Sequence, residues 1–304
     1  MGSLGSELST YLLLAWLLPL FGFCIEVLGG RWGRNRQDKR AAYLAIACIG
    51  ASFLLSSFTF YRWGTENHWQ VFAASDDSGQ HSVASLADDG HENEAHGEHK
   101  HEKDGNHKEH ADGNDHGVAH TEEHGSEDHT DEADHGPGPS YSGTFYTLAT
   151  FGALNLSIDY YIDSLTILMF CMVTLIATCI HIFAVGYMSD ELTDEYVDHN
   201  AHTSDGHHVH RPGRFHRFFS FLSLFCFSML GIVLAGNIFQ IFVFWELVGI
   251  SSFLLIGFYT ERKSANVAAN KAFIVNRVGD FGFIIGLMIL WPYCGTFSFG
   301  DTEI

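Results

Sequence analysis

Ionisable side chains placed inside apolar runs are the residues of this sequence that could do chemistry. Residues 238–259, IFQIFVFWELVGISSFLLIGFY, carry one charge, Glu246. A run of 22 such residues is long enough to cross a bilayer, which needs about 20. A charged residue at the centre of a spanning helix costs at least ~2.5 kcal/mol on insertion scales, and such residues mark ion or proton pathways. Counting nine residues from Asn237 puts Glu246 about 13 Å along a helix at ~1.5 Å per residue. That is near the middle of a hydrocarbon core about 30 Å thick.

Arg277 and Asp280 reach similar depths in the next apolar run, and their i,i+3 spacing puts them on one helix face. Two readings stay open for them, a self-neutralising ion pair and a proton-handling site. Glu246 has no partner in its own run, so proton handling is the stronger reading for it. Burial disfavours a carboxylate ion and a nearby cation favours it. A moving or titrating neighbour would therefore switch such a group between holding and releasing a proton.

Two further residues are candidates. Lys271 enters its run one turn from the end, where snorkelling to the interface competes with a place on a proton path. His181, within LIATCIHIFAVGYM, is either a neutral hydrogen-bonded core histidine or a shuttle titrating near neutrality.

Six apolar spans must position these groups, at residues 10–28, 41–61, 164–188, 218–235, 238–259 and 267–291. Pro19 should kink the first, which packed neighbours tolerate. Gly236 and Asn237 alone separate the fourth and fifth, predicting a tight helical hairpin. Gly282 and Gly286 form a G-x-x-x-G suited to close helix packing. The expected fold is all-α, a polytopic transmembrane bundle of about six helices. The first apolar run lacks the basic flank and small-residue cleavage site of a signal peptide, so it reads as a retained span.

The loop RWGRNRQDKR carries five Lys/Arg between the first two spans and belongs on the cytoplasmic side by the positive-inside rule. Residues 189–217 and the segment ERKS (261–264) then also face inward, and the segment between spans two and three faces outward. That segment is unlike the rest of the chain. Between Asp76 and His135 there are 19 acids against three lysines, which accounts for most of the net charge of -20. The region 64–140 holds 13 of the 20 His, has few apolar residues and should be a disordered extracytoplasmic insert. Its histidines and carboxylates suit weak Zn, Cu or Ni binding, but their spacing fixes no coordination geometry. The smaller group His199, His202, His207, His208, His210 and His216 reads the same way, as a solvated loop.

The chain thus divides into residues 1–63 with two spans, the insert 64–140, and residues 141–304 with four spans. An acidic balance argues against nucleic-acid binding. The six Cys show no C-x-x-C pair and lie in or at the ends of apolar runs, as small buried side chains do. No phosphate loop, hydrolase triad or haem motif is present.

FVFWELVGISSFLLIGFY followed by ANKAFIVNRVGDFGFIIGLMILW resembles the antiporter-like membrane subunits of respiratory complex I, of the subunit L or chain 5 type. The upstream stretches IDYYIDSLTILMF and FFSFLSLFCFSMLGIVLAGN agree with it. The resemblance implies a proton-translocating membrane subunit of an NADH–quinone oxidoreductase in a bacterial inner membrane. It implies a start of the antiporter-like domain in the last four spans. Glu246, Arg277, Asp280 and His181 would match the family's proton-path residues, with Lys271 beside them. No cofactor is implied on this chain, while NADH, FMN, iron–sulfur clusters and quinone would sit in partner subunits. The other membrane subunits of that complex would be the partners. Family members continue beyond a sixth helix, so this chain is expected to be a truncated or split form. Subunits of multisubunit cation/proton antiporters share these helices and are the alternative.

Overall fold

The computed structural model describes residues 2–32, 39–67, 140–152, 154–193, 195–202 and 206–299. Residues 68–139 of the acidic His-rich insert and most of the basic turn lie outside the described residues, and the expected start of the insert at 64 falls instead inside the second helix, which runs to Glu66. Six long helices follow in chain order: α1 (Gly2–Trp32), α2 (Arg40–Glu66), α3 (Ser164–Tyr187), α4 (Phe215–Leu234), α5 (Ile238–Ile256) and α6 (Lys263–Cys294). Each contains a stretch long and apolar enough to span a bilayer. Many large apolar side chains point outward, among them Phe21, Leu54, Phe183, Val278 and Phe281, as lipid-facing surfaces require. This is a multi-pass integral membrane protein.

α4 is the hub. It packs against α1, α2, α3 and α5, whereas α6 packs along α5 and leaves most of its surface exposed. The main core joins Leu8, Leu12 and Trp16 of α1 to Phe170 of α3, Phe227, Leu230 and Leu234 of α4, and Phe244 of α5. Trp16 organises it. Its ring stacks on Phe227 at 5.2 Å and meets Phe244 edge-on at 5.3 Å, while Nε1 donates to the Phe227 carbonyl at 3.1 Å. Gly231 permits the close approach of α5, since a Cβ there would lie 2.6 Å from Cδ1 of Phe244. Pro19 falls inside α1, which runs on as one helix.

Two antiparallel hairpins cap the bundle, and hydropathy did not announce either. The first pairs β1 (Tyr141–Phe151) with β2 (Leu154–Ile162), turning at Gly152 with φ of 64°. The second pairs β3 (Tyr196–His202) with β4 (His208–Arg211). Here the expectation of a structureless solvated loop needs correction. His199, His207, His208 and His210 are exposed as expected, but the backbone at His199, His208 and His210 is a paired hairpin, and His216 is half-buried in the first turn of α4. Buried ion pairs fasten it, with Asp198 fully buried and Arg262 Nε at 2.8 Å from its Oδ2.

The hairpins mark the two ends of the bundle. β2 belongs to the end where α1 begins and α4 turns into α5. β3 and β4 belong to the end where α3 stops, α4 starts and α5 turns into α6.

Candidate functional site: an intramembrane ion cluster between α5 and α6

The position of α5 is set at its N-terminus. Asn237 caps the helix, its Oδ1 accepting from the Gln240 amide at 2.7 Å. The same side chain donates Nδ2 to Asp159 Oδ2 at 2.6 Å and to the Ser157 carbonyl at 2.9 Å. Gln240 returns the contact by accepting from the Asp159 amide at 2.8 Å. The chain after α6 adds Phe299 N to Gly236 O at 2.8 Å and Ile238 N to Phe297 O at 2.9 Å. A turn of two residues is thus clamped from both sides, which fixes the axial height of everything below it.

Glu246 lies nine residues further on and meets Arg277 across the α5–α6 seam, Nη1 of the arginine against Oε2 of the glutamate. The other terminal nitrogen, Nη2, lies 3.1 Å from Asp280 Oδ2 one turn along α6. One guanidinium therefore stands between two carboxylates. Asp280 is buried, yet neither of its oxygens takes an aligned hydrogen bond, so that contact is electrostatic. The Phe273 ring packs under the guanidinium, 4.9 Å from Cζ. Aromatic pairs close the seam above and below, Phe242 with Phe283 at 5.3 Å and Phe253 with Phe273 at 5.4 Å. Gly249 leaves room for the arginine, because a Cβ there would stand 3.3 Å from Nη2. An acid, a cation and a second acid in one seam lined by aromatic rings can exchange a proton for an ion-pair contact, since the state of each decides the charge felt by the others.

The other two candidates lie elsewhere. His181 is buried between α3 and α4, its Nδ1 2.8 Å from the Ala177 carbonyl and its Nε2 without a hydrogen-bond partner. It borders an apolar cavity of about 210 Å³ with Cys226 and Leu222. Its ring lies 6.3 Å from that of Phe219 on α4. Lys271 is exposed on α6, six residues before Arg277 and on a different face.

Sequence reasoning passed over several buried charges. Glu26 of α1 is 3% exposed with neither carboxylate oxygen hydrogen-bonded. It carried the same signal as Glu246, a single acid in the apolar run FGFCIEVLGG. At the β3–β4 end, Glu191 takes both terminal nitrogens of Arg211, each at 2.7 Å, and Glu261 bridges Arg211 and Arg214 at 2.8 and 2.7 Å. Burial would push Arg211 down, but the Glu191 hydrogen bonds and charge outweigh it and hold the guanidinium protonated. Asp198 is likewise opposed by burial and held below the usual carboxylate range by Arg262 and the Asn200 amide. Among the described residues, no group of three His, Cys, Asp or Glu gathers as a metal site would.

Comparison with known proteins matches two stretches of the chain to described families. Residues 148–196 match the family described as NADH-Ubiquinone oxidoreductase (complex I), chain 5 N-terminus. Residues 235–303, which include the whole ion cluster, match the family described as NADH:quinone oxidoreductase/Mrp antiporter, TM. The chain is similar to proteins named NADH-quinone oxidoreductase subunit L and NAD(P)H-quinone oxidoreductase chain 5. The subunit L of Neisseria meningitidis serogroup A is 41% identical over 150 residues, 49% of this chain and 19% of the relative. NAD(P)H-quinone oxidoreductase chain 5 of Synechocystis is 42% identical over 152 residues, 50% of this chain and 19% of that protein. Subunit L of Rhodobacter capsulatus is 43% identical over 140 residues, 46% and 18% of the two chains. The matched part thus spans about a fifth of these relatives' length. A chain in the structure of a membrane-bound sulfane sulfur reductase, an archaeal respiratory membrane complex, shares the fold. It has a TM-score of 0.50 and 14% identity, covering 94% of this chain and 38% of the other.

Proposed function

We propose that this chain is part of a proton-translocating membrane subunit of an NADH–quinone oxidoreductase in a bacterial cell membrane. Electron transfer, with its NADH, FMN, iron–sulfur clusters and quinone, takes place in partner subunits. The observation that carries this reading is the Glu246–Arg277–Asp280 cluster, a cation shared by two acids at mid-depth of two packed spans. When Arg277 sits against Glu246, the carboxylate is stabilised and its proton leaves. When Arg277 swings toward Asp280, Glu246 is left in apolar surroundings and takes a proton. Alternation between these two states, biased by charges in neighbouring subunits, is a proton stroke. His181 and Lys271 serve as outlying stations on the same path rather than as members of the cluster.

In this reading, residues 1–63 and 141–304 form the membrane part, and 64–140 is an extracytoplasmic insert. The exposed flank of α6 meets further helices of the same assembly. A second reading follows from the family description shared with Mrp antiporters, in which the same seam exchanges protons for a metal cation. Purification of the tagged full chain from its native membrane separates the two. The respiratory reading expects co-purifying NADH-driven quinone reduction with acidification of reconstituted vesicles. Cation-gradient-driven proton exchange without NADH oxidation would overturn it in favour of the antiporter.

A further inference from the structure

The first helix carries a second buried acid that the α5–α6 seam does not use. Glu26 lies six residues before Trp32, about 9 Å from that end of α1 at ~1.5 Å per residue. It is 3% exposed and turned toward the helices packed on α1, namely α2 and α4. The groups that face it are the Cys48 thiol from α2 and the Ser220 and Ser223 hydroxyls from α4. No cation among the described residues pairs with it, and neither oxygen takes a well-aligned hydrogen bond, although the Ser220 and Ser223 hydroxyls stand within reach.

The neighbouring hydroxyls decide what form of the acid fits. Ser220 Oγ already donates its hydrogen to the His216 carbonyl at 2.9 Å, so it turns lone pairs toward Glu26. A carboxylate ion needs donors for both oxygens, and with the Ser220 hydrogen committed only the Ser223 hydroxyl is left to give one. A neutral carboxylic acid has an O–H to donate and suits that environment. Burial without a partner also disfavours the ion.

We propose that Glu26 is an intramembrane proton-binding site, held as the neutral acid with an exchangeable proton, and separate from the Glu246–Arg277–Asp280 cluster. The assignment rests on geometry around α1 and stands whether or not the chain pumps protons. The test is infrared spectroscopy of the intact membrane assembly containing the full chain, in H2O and D2O. Wild type is compared with Glu26→Gln, Glu26→Asp and Glu246→Gln, with assembly checked by native gel.

The expected result is loss of one protonated-carboxyl C=O equivalent per chain in Glu26→Gln, a band that shifts in D2O and persists in Glu246→Gln. Glu26→Asp keeps the equivalent and moves its frequency, which identifies the group even if Glu26→Gln does not assemble. An assembled Glu26→Gln variant with an unchanged protonated-carboxyl region, or with loss of carboxylate-ion intensity instead, overturns the proposal. So does a Glu26→Asp spectrum with no displaced band.

Discussion

Arg277 of α6 reaches across the helix seam to Glu246 of α5, two residues 31 positions apart in sequence and joined by one ion pair. The same guanidinium keeps Asp280 within 3.1 Å. Removing the cation should therefore harm the chain more than removing the cation and one acid together. Arg277→Leu leaves two neighbouring carboxylates without a countercharge, whereas Arg277→Leu with Asp280→Leu leaves one. Loss of a fully buried partner costs ~3–5 kcal/mol, and the 35% exposure of the Arg277 side chain places this case below that range. Assembly yield on native gels should fall severalfold in the single variant and partly recover in the double one. Equal yields would contradict the shared-cation geometry.

Gly249 provides a steric handle on the same contact. A Cβ there stands 3.3 Å from Arg277 Nη2, tight but adjustable, and a branched side chain would occupy the arginine's place. Gly249→Ala should keep most proton translocation, and Gly249→Val should lower it about tenfold with assembly largely retained. Each tenfold step corresponds to ~1.4 kcal/mol of barrier. Vesicle acidification assays normalised to electron transfer provide the measurement.

At the other end of α5, Asn237 combines a helix cap with two hydrogen bonds to β2. Asn237→Ala should cost ~1 kcal/mol for the cap and a further ~1–3 kcal/mol for the buried groups left without their donor. Hydrogen exchange in the first turn of α5 and in β2 should rise together. Faster exchange confined to α5 would show that the clamp is not shared.

The β3–β4 hairpin should respond to acid. Burial opposes ionisation of Asp198, but Arg262 and the Asn200 amide hold it below its ordinary value of 3.8. A carboxylate lowered on folding contributes stability that is fully present above the unfolded value and is lost as pH falls through the folded one. Protection of the hairpin amides should thus be constant above about pH 5 and decline below 3.8. Asp198→Asn should weaken protection at neutral pH and remove the acid step.

The helices were legible because each needs about 20 apolar residues, and composition alone displays such runs. Their ends were less so. α1 begins at Gly2 and α6 at Lys263, ahead of the apolar windows. The β1–β2 hairpin was concealed by a short amphipathic stretch whose pairing serves the clamp on Asn237 and Gly236. The β3–β4 hairpin was misread because its histidines are solvated, while its order comes from partners such as Arg262, 64 residues from Asp198. Depth counting placed Glu246, Arg277 and Asp280 at one level. Which of them would pair depended on helix rotation, which periodicity in this all-round apolar pair leaves open. Glu26 shows the reverse case, where the signal was in the sequence and its unpartnered burial appears only in three dimensions.

The measurement closest to the centre of this account is proton translocation per electron in native vesicles carrying Glu246→Gln. The substitution keeps size and removes the titrating group. The account predicts an assembled complex that still passes electrons while its proton yield falls severalfold. A proton yield equal to wild type would contradict it.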